Sequence, residues 1–285
     1  MRPNIVALYA ILCLAGCAHT HQPRPVAVEQ TPQEQKIATE VSQLRQDMAR
    51  EVPGETPYTA PENKNWVAHA QAIVAVSPYK ISNPQTIIAV DRNPDVQQLR
   101  VIVANPHGQW QIIGGGKVST GIAGVPGHYI TPTGVFPHTS AILDYRALGT
   151  YNENNIRGLG ETGRRVWDFG WQIAEEGWSP DHKLAEIRLA MHATDPDYLE
   201  PLLGHPESEG CVRVSAAMNV FLDRHAILDA DYLQAANTDP SIAAVLPADG
   251  DPTPLAGMYL VVFDSTSASQ APPRSPDFAR TETGQ

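Results

Sequence analysis

Apolar and polar positions change their period along the chain. Between residues 33 and 51, Ile37, Val41, Leu44 and Met48 recur at steps of four, three and four, the stripe of an amphipathic helix. A second helix is expected over about 62–76, with Trp66, Ala70 and Ile73 on one side. From Thr86 the pattern turns β-rich. Runs at 86–91, 99–105 and 110–119 are broken by Asn93-Pro94, by Asn105-Pro106-His107-Gly108 and by Gly114-Gly115-Gly116. Further strands are expected at 134–143, 186–192 and 257–264. Ser215 is placed to cap a helix through about His225, with Ala216, Val220, Phe221 and Leu222 available for burial. Many short strands with one late helix predict a mainly β fold with minor α, a sandwich or barrel rather than a doubly wound α/β sheet. There are no internal repeats.

The two ends read differently. Arg2 precedes an apolar run from Ile5 to Leu14 and then Leu14-Ala15-Gly16-Cys17. A run of this length is an export signal rather than a membrane span. Its last four residues resemble the bacterial lipobox, which implies removal of 1–16, acylation of Cys17 and, with Ala18 next, an outer-membrane address. Residues 17–32 are polar and Pro-containing and suit a flexible tether. The remaining expected boundaries are a helical extension at 33–83, a catalytic domain at 84–264 and a disordered tail at 265–285, poor in apolar residues. Net charge moves from −11 to about −12 when the single charge of Arg2 leaves with the signal. No basic stripe is present, which argues against nucleic acid and against electrostatic adhesion to anionic lipid.

Export makes one cysteine conspicuous. Cys13 leaves with the signal and Cys17 is the candidate anchor, so Cys211 is the one thiol left in the exported domain. An unpaired thiol in an oxidising compartment is a candidate nucleophile. It needs a base, and His192 lies 19 positions upstream at the end of an apolar strand pattern. If 208–213 is extended, Glu209, Cys211 and Arg213 share one face while Ser208, Val212 and Val214 take the other. Gly210 allows close backbone approach, and the amides around Gly210 and Cys211 are candidate oxyanion donors.

The segments STG at 119–121, TPTGVF at 131–136, MHAT at 191–194 and SEGCVR at 208–213 occur in that order. Together they resemble the L,D-transpeptidase catalytic-domain family of bacterial cell-wall enzymes, over roughly 86–264. The resemblance implies an L,D-transpeptidase-like β-sandwich or barrel with a helix after the catalytic cysteine. It implies a cysteine acyltransferase without cofactor or metal. Cys211 would take the acyl group of a peptidoglycan stem peptide, release the terminal D-amino acid, and pass the acyl group to a stem amine, to the amine of an outer-membrane protein, or to water. His192 matches the general base and the Ala193 carbonyl the group that orients it. Thr194, Ser208, Gly210 and Arg213 match supporting positions. Trp167, Trp171 and Trp178 precede His192 where the family often carries a lid; a stacked core is the simpler account of them. The implied address is the bacterial cell envelope, periplasmic and lipid-anchored.

Glu209 departs from the family, which usually carries His before Gly-Cys. A carboxylate there raises a neighbouring thiol pKa unless Arg213 compensates it. His205 is a second candidate for the missing imidazole. Other classes fit less well. Sortase-like enzymes separate His, Cys and Arg more widely, and papain-like wall peptidases place Cys before His. Zinc chemistry lacks an HExxH or CxxC pattern. An L,D-carboxypeptidase of the same fold, or a wall-binding scaffold with little activity, remains the alternative.

Overall fold

Two hydrophobic layers, one on each side of a six-stranded sheet, organise the chain. The structure is a computed structural model and describes residues 31–266. The expected signal at 1–16, the lipidation site Cys17, almost all of the 17–32 tether and the tail beyond 266 lie outside the described residues. In chain order the elements are α1 (Pro32–Glu51), β1 (Thr56–Pro57), α2 (Trp66–Val76), β2 (Gln85–Asp91), β3 (Gln98–Ala104), β4 (Gln111–Lys117), β5 (Tyr129–Ile130), β6 (Gly134–Pro137), β7 (Tyr145–Arg146), β8 (Arg165–Glu176), β9 (Leu184–Ala193), β10 (Val212–Val214), α3 (Ala216–Arg224), α4 (Ala230–Ala235), α5 (Pro240–Val245) and β11 (Tyr259–Phe263).

The first sheet runs β1-β4-β3-β2-β11-β6 and is antiparallel except where β11 lies parallel to β2. Strand β2 is buried along its whole length, so its period-two pattern feeds both layers. Ile88 and Val90 face the main core, while Ile87 and Ala89 face a second core closed by Trp66 and Ala70 of α2. The main core continues into α1 through Ile37, Val41, Leu44 and Met48. Each such side chain, fully buried, is worth about 1.5–3 kcal/mol relative to exposure. Arg45 of α1 also donates to the Ile112 carbonyl at 2.8 Å. The expected helical extension is thus divided between the two cores, α1 in the main one and α2 in the second.

The second sheet runs β10-β9-β8-β5, with β7 also paired to β8. Its inner face supplies Trp167, Leu189, Met191, Val212 and Val214 to the main core. Strand β10 is parallel to β9, in the register Val212↔Met191, Arg213↔His192 and Val214↔Ala193.

Several expectations need correction. At 25% helix and 27% strand the described residues are mixed rather than mainly β, and their sheets are open. Two helices account for part of the difference: α4, and α5, which Asp239 caps from Ser241 and Ile242 with Pro240 at its start. The long strand β8 escaped because a register shift between Asp168 and Trp171, with Gly170 at φ 75°, interrupts its alternation. The strand expected over 134–143 stops at Pro137. A 3-10 turn at Pro61–Asn65 precedes α2, which starts at Trp66 rather than near 62. Val220 of α3 is exposed, and Met218 joins Phe221 and Leu222 in the core instead. Thr31 caps α1 in a capping box with Glu34, so the helix begins at Pro32. Past 264, the Ser265 hydroxyl accepts from Asn93 Nδ2 at 2.8 Å. Among the described residues no helix is long and apolar enough to cross a membrane.

Candidate active site

Parallel pairing of β10 with β9 puts Arg213 beside His192. Side chains alternate, so Cys211, two residues before Arg213, belongs to the same outer face and aligns with Ala190. Cys211 is half-buried against Ala147, Val166 and Ala190, while Val212 and Val214 point the other way into the main core. The diagonal from Cys211 to His192 on such a face is about 7–8 Å between backbones, within reach of an imidazole.

The turn before Cys211 is held from three sides. Ser208 is fully buried; its Oγ donates to the Cys211 carbonyl at 2.6 Å and accepts from the Gly210 amide at 3.1 Å. Thr131 Oγ1 donates to the Gly210 carbonyl at 2.8 Å and accepts from the Gly121 amide at 2.9 Å. Isolated bridges join Ser119 to Arg213 and Gly121 to Ser208. Segments 119–121, 131–136, 191–194 and 208–213 therefore converge. Gly210 sits at φ 129°, and a Cβ there would meet Ile187 Cδ1 at 2.9 Å, so the position requires glycine. In this arrangement the Gly210 amide is turned to Ser208 Oγ.

His192 is 5% exposed. Its Nδ1 contacts the Ala193 carbonyl at 2.6 Å. A carbonyl only accepts, so Nδ1 carries the proton and Nε2 keeps its lone pair. Burial lowers the pKa of His192 to about 4, with the Ala193 hydrogen bond opposing and Arg213 assisting. The imidazole is neutral at pH 7 and competent as a base.

The thiol is not preionised. Burial pushes its pKa up, a backbone contact from Ala190 and the charge of Arg213 pull it down, and Glu209 and Asp168 push it further up. In the resting structure Sγ donates to the Arg188 carbonyl at 3.7 Å, and among the described residues no hydrogen bond joins it to His192. Arg213 donates from Nη1 to the Glu207 carbonyl at 2.9 Å, and its Nε is buried without a partner. No ion pair links Arg213 to Glu209 among the described residues, although the charge of Glu209 acts on both Arg213 and Cys211. The compensating contact expected of that pair does not form; Glu209 is exposed instead. His205 is also exposed and shares none of these contacts.

Thr194 is fully buried with Oγ1 unpartnered, and Ala193 is fully buried beside it. No two of Trp167, Trp171 and Trp178 stack on each other. Trp167 lies in the main core, Trp171 is 63% exposed on the outer face, and Trp178 packs edge-on to Tyr129. Sequence reading missed Asp168, Arg188 and Tyr145, which share that outer face only once β7, β8 and β9 are in register.

Behind the sheet lies a buried polar cluster. His138, Asp144 and Asp229 are close enough to offer ligand atoms to a metal. Arg165 already fills that space, with Nη2 at 2.8 Å from Asp144 and 3.2 Å from Asp229. A metal ion would sit against a guanidinium, so the donor set does not fit one. Both His138 nitrogens face acceptors, Nδ1 toward the Leu228 carbonyl at 3.0 Å and Nε2 toward Asp144 at 2.9 Å. Burial opposes charge on His138, but the hydrogen bond and charge of Asp144, with help from Asp229 and Leu228, raise its pKa overall.

No protein-family model matches the chain, and no curated protein matches it. Among solved structures it is similar to a fused Zn-dependent amidase/peptidase/peptidoglycan-binding domain-containing protein from Clostridium acetobutylicum ATCC 824, at 13% identity and a TM-score of 0.27. That match covers 73% of this chain and 66% of the other, slightly under two thirds of its length. A likeness this weak transfers neither fold nor activity.

Proposed function

We propose that the protein is a cysteine acyltransferase of the L,D-transpeptidase type, acting on peptidoglycan stem peptides. The observation that carries the reading is a neutral imidazole locked through Nδ1 to the Ala193 carbonyl, on one sheet face with Cys211 and Arg213. As sulfur attacks the carbonyl of an L-centre, His192 Nε2 takes the thiol proton and a C–S bond forms. Collapse of the tetrahedral oxyanion breaks the C–N bond, and the imidazolium returns the proton to the departing amine of the D-amino acid. An amine or water then attacks the thioester, loses its proton to His192, and releases the thiol. Arg213 supplies fixed positive charge near the developing oxyanion.

The envelope location and the Cys17 lipid anchor belong to this same reading. Peptide mass spectrometry on tetrapeptide stems, with Cys211→Ala as the blank, tests it. Loss of the terminal D-amino acid with dimer formation is the expected result. Loss without dimers makes the protein an L,D-carboxypeptidase, and no loss at all removes the enzymatic reading in favour of a wall-binding scaffold.

A further inference from the structure

Arg188 stands two residues before Ala190 on the outer face of β9, and its own carbonyl accepts from the Cys211 thiol. Its guanidinium is fixed rather than free. Nε lies 2.8 Å from Asp168 Oδ1 and 2.9 Å from Oδ2, and Nη2 lies 2.8 Å from Oδ2. Asp168 is itself pinned by the Gly170 amide at 2.8 Å. Nη1 has no hydrogen-bond partner among the described residues, and the Arg188 side chain is 44% exposed. Directly across the register is Trp171, whose exposed ring lies 5.6 Å from the guanidinium carbon. Tyr145, 47% exposed, pairs with Val166 and so lies level with His192 rather than with Arg188.

The arrangement has a direction. His192 and Arg188 flank Ala190 at equal spacing along β9, on opposite sides of the position that aligns with Cys211. His192 must protonate the departing amine, so the leaving side of a substrate lies toward His192. The acyl side then crosses Ala190 and reaches Arg188 after two residue rises, about 7 Å. An extended peptide covers that distance in about two residues.

We infer that Arg188, positioned by Asp168 and flanked by Trp171, is a specificity residue that binds a carboxylate on the acyl side of the donor peptide, about two residues from the carbonyl that Cys211 attacks. This rests on the acyl-transfer reading above. A guanidinium with one edge held by a carboxylate still presents donors from its other edge to a second carboxylate. The exposed indole supplies an apolar surface for the peptide backbone beside the charge.

The test uses Cys211→Ala protein, so that nothing turns over, and two tetrapeptides differing only in one group. One carries a free carboxylate on the residue before the acyl residue; the other carries a primary amide there. Calorimetric titration at neutral pH should show the free acid binding about tenfold more tightly. Adding Arg188→Gln should bring the two within about twofold of each other, with Arg188→Lys between. Equal binding of acid and amide, a preference that survives Arg188→Gln, or binding of neither peptide overturns the assignment. Failure of the acyl-transfer reading appears separately, as absence of any adduct on Cys211 in the unsubstituted protein.

Discussion

Removing the Asp144 carboxylate should destabilise the protein far more than any surface ion pair. Asp144 is fully buried and serves four donors: His138 Nε2 at 2.9 Å, Arg165 Nε at 2.9 Å, Arg165 Nη2 at 2.8 Å and the Asp168 amide at 2.9 Å. Asp144→Ala leaves a buried guanidinium and a buried imidazole with Asp229 and Asp223 as their remaining carboxylates. Breaking one side of a buried pair costs about 3–5 kcal/mol. At about 2–4 °C per kcal/mol for a domain of this size, the melting temperature should fall by roughly 6–20 °C. Urea unfolding of Asp144→Ala against Glu161→Ala is the assay. Glu161 pairs with Arg164 near the surface at 2.6 Å, and its loss should cost under about 1 kcal/mol. The pH dependence has two limbs. Burial raises the Asp144 pKa, but His138 and Arg165 outweigh it, leaving it below its ordinary 3.8; that stability is present above 3.8 and lost as pH falls through the lowered folded value. The His138 pKa is raised above 6.5, so its contribution is full below 6.5 and is lost as pH rises through the raised folded value. A loss of under about 1 kcal/mol in Asp144→Ala would refute the charged network.

Three further outcomes follow from the site. Glu209→Gln removes a charge that raises the Cys211 pKa, so alkylation of Cys211 at a fixed pH between 7 and 9 should speed up; an unchanged rate takes Glu209 out of the electrostatics of the thiol. Gly210→Ala must place a Cβ at φ 129° against Ile187, and should cost about 1–3 kcal/mol in urea unfolding together with slower Cys211 acylation. With the His192 pKa near 4, the acylation rate should show no histidine inflection between pH 5 and 8, and a break near 6.5 would mean that the imidazole is not buried as described.

Much of the scaffold was readable because its strands are short β-branched and apolar runs between turn residues. Strands β2, β3 and β11 fall on β-rich apolar runs that end at Asn-Pro or Asp punctuation, and α1 follows its stripe, whereas β4 continues through Gly114-Gly115-Gly116, where the sequence suggested a break. Strand β8 was hidden by its own bulge, since Gly170 and the register shift put Asp168 and Trp171 out of step. Asp229 precedes α4 without making a cap hydrogen bond; its Oδ1 accepts from Arg165 and its Oδ2 is buried with no partner. The segments around Cys211 and His192 stood out as local strings of residues. The outer-face partners did not: Arg188, Asp168 and Tyr145 meet only through the pairing of three strands, and no local spacing encodes that meeting. The missing Glu209–Arg213 contact has the same origin, because alternation assigns a shared face but not a distance.

The central claim is that Cys211 forms an acyl-enzyme with His192 as its base. Intact-protein mass spectrometry after incubation with a carbapenem, which the family resemblance marks as an acylating agent for this cysteine, tests it most directly. The account predicts a single adduct mapping to Cys211, absent in Cys211→Ala and strongly slowed in His192→Gln. Folded protein that acquires no adduct at Cys211, or that labels equally fast without His192, would contradict it.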